Sequence, residues 1–139
     1  MDKKINIPFN NDKADAFIID GWSHGESDFR WTIGKISRFG FNLEKTHPIL
    51  ISIKLMPFIE LSKNKQKVIF YINGEFLEEY IFKSPDIQNI ILNVPQKHLA
   101  KKNIITIEAS DAISPASINV SEDDRVLGIA IYHIDIEKM

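Results

Sequence analysis

The chain has 139 residues, 44% of them hydrophobic, so it can bury one core but is too short for two ordinary domains. We expect a single domain over residues 1–139. The formal net charge of -2, from 17 basic and 19 acidic residues, attracts no polyanion, so nucleic acid is not an expected partner. The absence of cysteine excludes disulfides.

The apolar runs are all far shorter than the roughly 20 residues of a membrane helix, so no membrane span is expected. The lysines near the amino terminus are not followed by the apolar stretch of a secretory signal. The sequence therefore favours a cytoplasmic location.

Hydrophobic residues recur mainly with a period of two, which is typical of β-strands. The first three candidates are weak ones: INIPF, AFIID and FRWTIG. In the third, alternation places Phe29, Trp31 and Ile33 on one face and Arg30 and Thr32 on the other. We therefore expect Trp31 in the core and Arg30 facing outward or into a groove.

The middle of the chain gives the clearest strand signals. Residues 47–61 predict a long strand with Ile49, Ile51, Ile53 and Leu55 on one face, and the charge-rich segment SKNKQK (62–67) predicts a solvated loop. Between VIFYI and EFLEEYIF lies the dipeptide Asn-Gly at 73 and 74, which suits the positive φ angles of a type I′ turn. This pattern predicts a β-hairpin.

The last third adds strands at 87–94 and 103–109, joined by PQKHLAKK, which has room for one helical turn. Residues 125–136 are apolar on both faces as far as Tyr132, which indicates a central strand buried on both sides. Eight to ten strands without helices to cover them predict two antiparallel sheets packed face to face. The expected fold is an all-β, jelly-roll (galactose-binding-like) β-sandwich, and a closed barrel is the alternative.

Two polar clusters interrupt this pattern. The segment DGWSHGESDFRWTIG (20–34) contains both tryptophans, and a loop Trp either stacks on a sugar ring or caps the end of the sandwich. The second cluster, in residues 110–128, contains acidic residues and an arginine just before the last strand. An arginine there either latches a carboxylate or binds a ligand.

The two clusters are expected to meet at one end of the sandwich. That meeting brings Arg30 close to Glu122, Asp123 or Asp124, and brings Arg125 close to Glu26. The candidate ligand-binding residues are Trp22, Glu26, Arg30, Asp123, Asp124 and Arg125.

Catalysis and metal binding have weaker support. The four histidines are isolated in sequence, which argues against a histidine metal centre. Glu26 with Asp123 or Asp124 offers a carboxylate pair for glycoside hydrolysis, but the sequence leaves their separation open. No cofactor is expected. If the chain holds a metal ion, the oxygens of its aspartates favour calcium, from the set Asp20, Asp28, Asp111, Asp123 and Asp124.

Three motifs carry a resemblance: GWSHGESDFRWTIG, VIFYINGEF and ISPASINVSEDDRVLGIAI. In this order they resemble an uncharacterised domain attached to bacterial glycosyltransferases that build surface polysaccharides. The matching positions are Gly21, Trp22, Ser23, Glu26, Arg30, Trp31, Gly34, Asn73, Gly74, Ser114, Pro115, Asp123 or Asp124, Arg125, Leu127 and Gly128. The resemblance implies a carbohydrate-binding-like sandwich without a catalytic role, a glycan ligand and a glycosyltransferase as partner.

The sequence thus favours a non-catalytic carbohydrate-binding or glycan-enzyme accessory domain linked to bacterial surface polysaccharide synthesis. One alternative is a structural module that docks a protein partner through a sandwich face or an edge strand. The other alternative is a small carbohydrate-active enzyme. An exposed apolar patch distinguishes the docking module from a sugar groove lined with polar groups.

Overall fold

The computed structural model describes residues 4–59 and 65–139. Within those ranges the chain forms ten strands: β1 (Ile5–Pro8), β2 (Ile18–Asp20), β3 (Arg30–Ile33), β4 (Ile36–Asn42), β5 (Ile49–Pro57), β6 (Gln66–Ile72), β7 (Glu75–Phe82), β8 (Gln88–Val94), β9 (Lys102–Ala109) and β10 (Leu127–Lys138). The helical segments of the same ranges are 3₁₀ turns at Asp12–Ala16, Gln96–His98 and Ala116–Ile118. In this described part, no helix is long and apolar enough to cross a membrane.

The strands form two antiparallel sheets. The first sheet has the order β1-β10-β5-β8, and β3 pairs with β10 beyond the end of β1. The second sheet has the order β2-β4-β9-β6-β7. The predicted two-sheet β-sandwich is confirmed.

The core lies between the sheets and is built by strict alternation. Ile49, Ile51, Ile53 and Leu55 of β5 are all fully buried, as the alternation predicted. The second sheet contributes its own buried set from β4, β6 and β9: Phe39, Phe41, Val68, Phe70, Ile72, Ile105 and Ile107. Each such side chain contributes about 1.5–3 kcal/mol by leaving water.

Strand β10 is central, as predicted. It pairs with β1 and β3 on one side and with β5 on the other, and its residues from Leu127 to Ile131 are all buried. Ile129 and Ile131 face the core between the sheets, whereas Ala130 belongs to a small cluster on the outer face of the first sheet.

Several boundaries differ from the sequence prediction. Strand β5 ends at Pro57, and residues 60–64 lie outside the described part of the chain, so the first half of the predicted loop 62–67 is not covered. Gln66 and Lys67 belong to β6 instead, because the buried Gln66 side chain donates to the carbonyl of Phe58. Strand β4 was not predicted, since its polar Ser37 is buried while its apolar Ile36 is exposed, which breaks the alternation.

The hairpin between β6 and β7 is confirmed. Asn73 and Gly74 have φ angles of 51° and 86°, both in the left-handed region. The Asn73 side chain also donates to the carbonyl of His98 and accepts from the amide of Ile104. The turn therefore holds neighbouring segments of the second sheet together.

A substitution at this turn tests the hairpin geometry. A Cβ at Gly74 would meet no atom within 4 Å, so Gly74→Val strains the backbone alone. We expect the free energy of unfolding to fall by about 1 kcal/mol or more. Urea unfolding measures the loss, and Glu75→Val at the next exposed position is the control. Equal stability of the two variants would contradict the assignment.

Candidate functional site

The segment Gly21–Ser23 lies antiparallel to β3 and is pressed against β4. The amide of Ser23 donates to the carbonyl of Trp31 at 3.0 Å, and the hydroxyl of Ser37 donates to the carbonyl of Gly21 at 2.6 Å. A Cβ at Gly21 would lie 2.3 Å from the carbonyl oxygen of Ile36, and the φ angle there is +82°. Only glycine fits this close approach.

Trp22 caps one end of the core. Its indole N–H donates to the carbonyl of Arg38 at 2.8 Å, and its ring centroid lies 5.2 Å from that of Phe9. The residue is half-buried and forms an isolated bridge with Thr32. Of the two uses foreseen for this tryptophan, the structure favours the cap over the sugar platform.

Arg30 is buried, with 5% exposure, and binds three backbone carbonyls. Its Nε donates to Phe9 at 3.0 Å, its Nη1 to Ser23 at 3.0 Å and its Nη2 to Asn11 at 3.1 Å. The carboxylate that forms an ion pair with it is the exposed Asp15, at 3.8 Å. Arg30 does not face outward; it lines a depression of about 290 Å³ with residues such as Asn11 and Asp15, which agrees with the alternative that it faces a groove. Among the described residues it forms no ion pair with Glu122, Asp123 or Asp124, so the expected approach to them is wrong.

The position of β3 explains this reversal. Arg30 lies opposite Ile131, so it points to the core side of the sheet, at an edge where the carbonyls of residues 9 and 11 converge. Trp31 lies opposite Ala130 on the outer face, where it is buried at 8% exposure against Leu127. Trp31 is thus buried as predicted, but in the outer cluster.

The second polar cluster contains a local ion pair between Arg125 and Asp123, here called the latch. Arg125 binds the carboxylate of Asp123 through its Nε at 3.0 and 3.1 Å and its Nη2 at 2.6 Å. These hydrogen bonds lower the pKa of Asp123 to about 2 and raise the pKa of Arg125. Glu26 lies 4.0 Å from Arg125, so these two residues meet as expected, while Asp124 is exposed.

This arrangement does not suit glycoside hydrolysis. A general acid in that reaction needs a pKa raised toward neutrality, whereas the pKa of Asp123 is lowered by Arg125. The guanidinium also lies against both Asp123 and Glu26, which neutralises charge at the position of the predicted carboxylate pair.

A different group of residues forms a depression of about 450 Å³ on the outer face of the first sheet, here called the Tyr132 pocket. Strands β1, β5 and β10 form its floor, and the segments after β1 and before β3 form its rim. It is lined by Asn6, Pro8, Asn10, Asp28, Lys54, Tyr132 and His133.

The Tyr132 pocket presents both donors and acceptors beside an aromatic ring. The ammonium of Lys54 lies 5.3 Å from the ring centroid of Tyr132. Burial, and then the nearby charge of Asp28, raises the pKa of the Tyr132 hydroxyl. Nδ1 of His133 is buried and has no hydrogen-bond partner among the described residues.

A row of four aromatic rings leads to this pocket along the outer face. The centroids are 6.1 Å apart between Phe58 and Trp31, 5.6 Å between Trp31 and Phe29, and 5.4 Å between Phe29 and Tyr132. All three contacts are edge-to-face, which fixes the rings relative to one another. The row gives the outer face an apolar margin beside the polar pocket.

Sequence reasoning missed the Tyr132 pocket. Only strand register places Lys54 opposite His133, and only the segment before β3 brings Asp28 to the same place. An available signal was the presence of the polar residues Asn6 in β1 and Ser52 and Lys54 in β5 at outward positions.

The aspartates proposed for calcium do not converge. Asp20 pairs with Arg38 at 2.8 Å, and Asp123 is held by Arg125. Across residues 4–59 and 65–139, no three acidic or histidine side chains are placed to share a metal ion. The five aspartates are therefore not brought together as one carboxylate site for calcium.

No family model matches the chain, and no curated protein matches it in sequence. In structure it resembles the CBM36-1 domain of a multidomain xylanase from the hindgut metagenome of Trinervitermes trinervoides. The TM-score is 0.63 at 10% identity, over 99% of this chain and 98% of that one. It also resembles carbohydrate-binding module CBM36 in complex with calcium and xylotriose, with a TM-score of 0.53 at 14% identity over 97% and 99% of the two chains.

A further similar structure is dimeric latent PorU from Porphyromonas gingivalis. The TM-score is 0.62 at 7% identity, over 96% of this chain and 12% of that one. At such identities these likenesses show the fold alone. The fold is a jelly-roll β-sandwich like that of these structures, as the sequence predicted.

The two arginines are expected to differ sharply in their effect on stability. Arg30→Ala leaves three carbonyls without their donor, so the free energy of unfolding should fall by about 3 kcal/mol or more. Arg125→Ala removes a partly exposed pair and should cost about 0–1 kcal/mol. Urea unfolding of both variants measures the difference, and Arg30→Lys should recover only part of the loss because it lacks the planar fork. Equal losses at 30 and 125 would contradict the assigned roles.

The lowered pKa of Asp123 predicts a pH-dependent contribution to stability. Because the folded-state pKa is about 2, below the ordinary value of 3.8, the contribution is present above pH 4 and disappears as the pH falls through 2. Asp123→Asn should therefore cost about 1 kcal/mol at pH 6 and progressively less between pH 4 and 2. Urea unfolding across this range tests it, with Asp124→Asn as the control. A pH-independent difference would contradict the latch.

Proposed function

We propose that this protein is a non-catalytic carbohydrate-binding domain and that its ligand lies in the Tyr132 pocket on the outer face of the first sheet. The observation that carries the proposal is the convergence of charged, amide, imidazole and phenol groups beside an aromatic row on one open face. The likeness to carbohydrate-binding modules supports the proposal, because it gives the same sandwich as a scaffold.

The chemistry of the pocket suits sugar hydroxyls. A hydroxyl both donates and accepts, so it is matched by an acceptor such as Asp28 together with a donor such as Lys54. Asn6 and Asn10 add amides that do both. The half-buried rings of Phe29, Phe58 and Tyr132 offer an apolar surface to the C–H groups of a sugar, as aromatic residues do in polar sites.

The shape of the pocket also suits a glycan. Its volume of about 450 Å³ lies in the range of small-molecule sites, and it opens on a sheet face rather than inside the fold. An open depression lets a chain continue beyond the bound unit. We therefore propose an oligosaccharide or an internal segment of a polysaccharide as the ligand.

Two narrower parts of the sequence reasoning belong to this proposal. The resemblance to domains attached to glycosyltransferases supports a role in bacterial surface polysaccharide synthesis, with such an enzyme as partner. The acidic and basic residues Glu26, Asp123, Asp124 and Arg125 remain a second candidate site, which the variants below distinguish from the Tyr132 pocket.

A glycan array, repeated with and without calcium, identifies ligands, and calorimetric titration of the best one measures affinity. Lys54→Ala and Asp28→Asn should each weaken binding about tenfold or more, because each removes a charge-assisted hydrogen bond. The melting temperature should stay close to that of the parent. Comparing the affinity with and without calcium tests whether the ion takes part in binding.

Lys83→Ala, at an exposed lysine away from the pocket, and Asp124→Asn are the matched controls and should bind normally. Full affinity in the Lys54 and Asp28 variants, with loss in Asp124→Asn and Arg125→Ala, would move the site to the second cluster. If no glycan on the array binds the parent protein, the proposed function is wrong.

A further inference from the structure

The outer face of the second sheet is unlike that of the first. Strands β2, β4, β7 and β9 expose large apolar side chains there: Ile19 at 51%, Ile36 at 37%, Phe76 at 59%, Ile81 at 50% and Ile104 at 44%. These are five of the nine exposed large hydrophobic residues in the described part of the chain. They do not form one unbroken patch, because Ile36 lies opposite Glu108 and Ile104 lies opposite Gly40, but several exposed apolar side chains on one sheet face are typical of interaction sites.

Most charges on this face are paired within the chain. Arg38 contacts Asp20 at 2.8 Å, and Lys67 contacts Glu79 at 3.3 Å. These pairs cancel, so the face offers no net field to a strongly charged partner.

The central strand β9 carries a distinct charge pattern. Its outward residues are Lys102, Ile104, Thr106 and Glu108, in that order, so a cation stands at one end and an anion at the other. Among the described residues no ion pair engages Lys102 or Glu108. The strand is therefore complementary to an antiparallel copy of itself.

We infer that the outer face of the second sheet binds a second copy of this chain. A two-fold axis in the plane of the interface, perpendicular to β9 near Ile105, stacks the two β9 strands antiparallel. Lys102 of each copy then faces Glu108 of the other, and Ile104 lies against Thr106. The apolar residues of β2, β4 and β7 flank this centre.

The size of the face fits a weak dimer. Strands β4, β6, β7 and β9 have seven or eight residues each. At about 4.8 Å between strands and about 3.3 Å per residue, they cover about 500 Å² per copy, or about 1,000 Å² for two. This area lies at the lower limit for specific interfaces, so the dimer should dissociate on dilution.

The dimer leaves the Tyr132 pocket free on both copies. The pocket lies on the outer face of the first sheet, on the opposite side of the sandwich from the dimer face. Two pockets in one assembly would raise the avidity for a polysaccharide with repeated binding units. The dimer itself does not depend on glycan binding.

Analytical ultracentrifugation from about 1 μM to about 1 mM tests the inference, a range that covers weak interfaces. The parent protein should convert from monomer to dimer across it. Lys102→Glu and Glu108→Lys should each weaken the dimer at least about tenfold, because each opposes like charges across the axis. The double variant K102E/E108K should regain the parent affinity.

Mixing the two single variants supplies a second readout. The mixture should form heterodimers, because every charge opposition is then replaced by an attraction. Ile104→Asp should abolish the dimer, whereas Ile91→Asp, at an exposed isoleucine on the outer face of the first sheet, should not. Thermal melts check that each variant is folded.

A parent protein that is monomeric at all these concentrations would overturn the inference. So would single charge variants that dimerise normally, or a double variant no better than the singles. Because none of these results involves sugar, failure here is distinguishable from failure of the proposed function.

Discussion

The hydrogen bonds of the buried Arg30 guanidinium hold the rim of the Tyr132 pocket, the ligand site proposed above, in place. The guanidinium donates to three backbone carbonyls in place of water. Two of them belong to residues 9 and 11, which follow β1, and the third belongs to residue 23, which precedes β3. The guanidinium thereby fixes the two segments that carry Asn10 and Asp28 to the rim of the Tyr132 pocket. The side-chain amide of Asn10 also joins the two segments directly, by donating a hydrogen bond to the carbonyl of Ser27 at 3.1 Å.

The sandwich has two outer faces of different chemistry. The first sheet carries lysine, histidine, aspartate and asparagine beside a row of rings, which favours a ligand rich in hydroxyl groups. The second carries half-exposed isoleucine and phenylalanine around a strand with opposite charges at its two ends, which favours a protein surface. The two proposals, a sugar site and a docking face, therefore concern opposite faces of the sandwich and do not compete for the same surface.

The sequence predicted the fold well because strand alternation and turn chemistry are local. Ile49 to Leu55 alternate as predicted, and the turn at 73 and 74 follows from two residues that tolerate positive φ. The candidate site was predicted less well. The residue type indicated that Arg30 makes important polar contacts. Whether its charge faces solvent or backbone carbonyls depends on segments that are far apart in the chain. Register likewise brings Lys54 and His133 together, and no local pattern encodes it.

The central claim is that the outer face of the first sheet binds glycans. Amide chemical-shift mapping by NMR, during titration with the best ligand from the glycan array, tests it most directly. The account predicts saturable shifts at residues 6, 7, 9, 10, 28, 54, 132 and 133, with residues 104 and 108 unchanged. Shifts confined to residues 26 and 122–125, or spread over the second sheet, would contradict it.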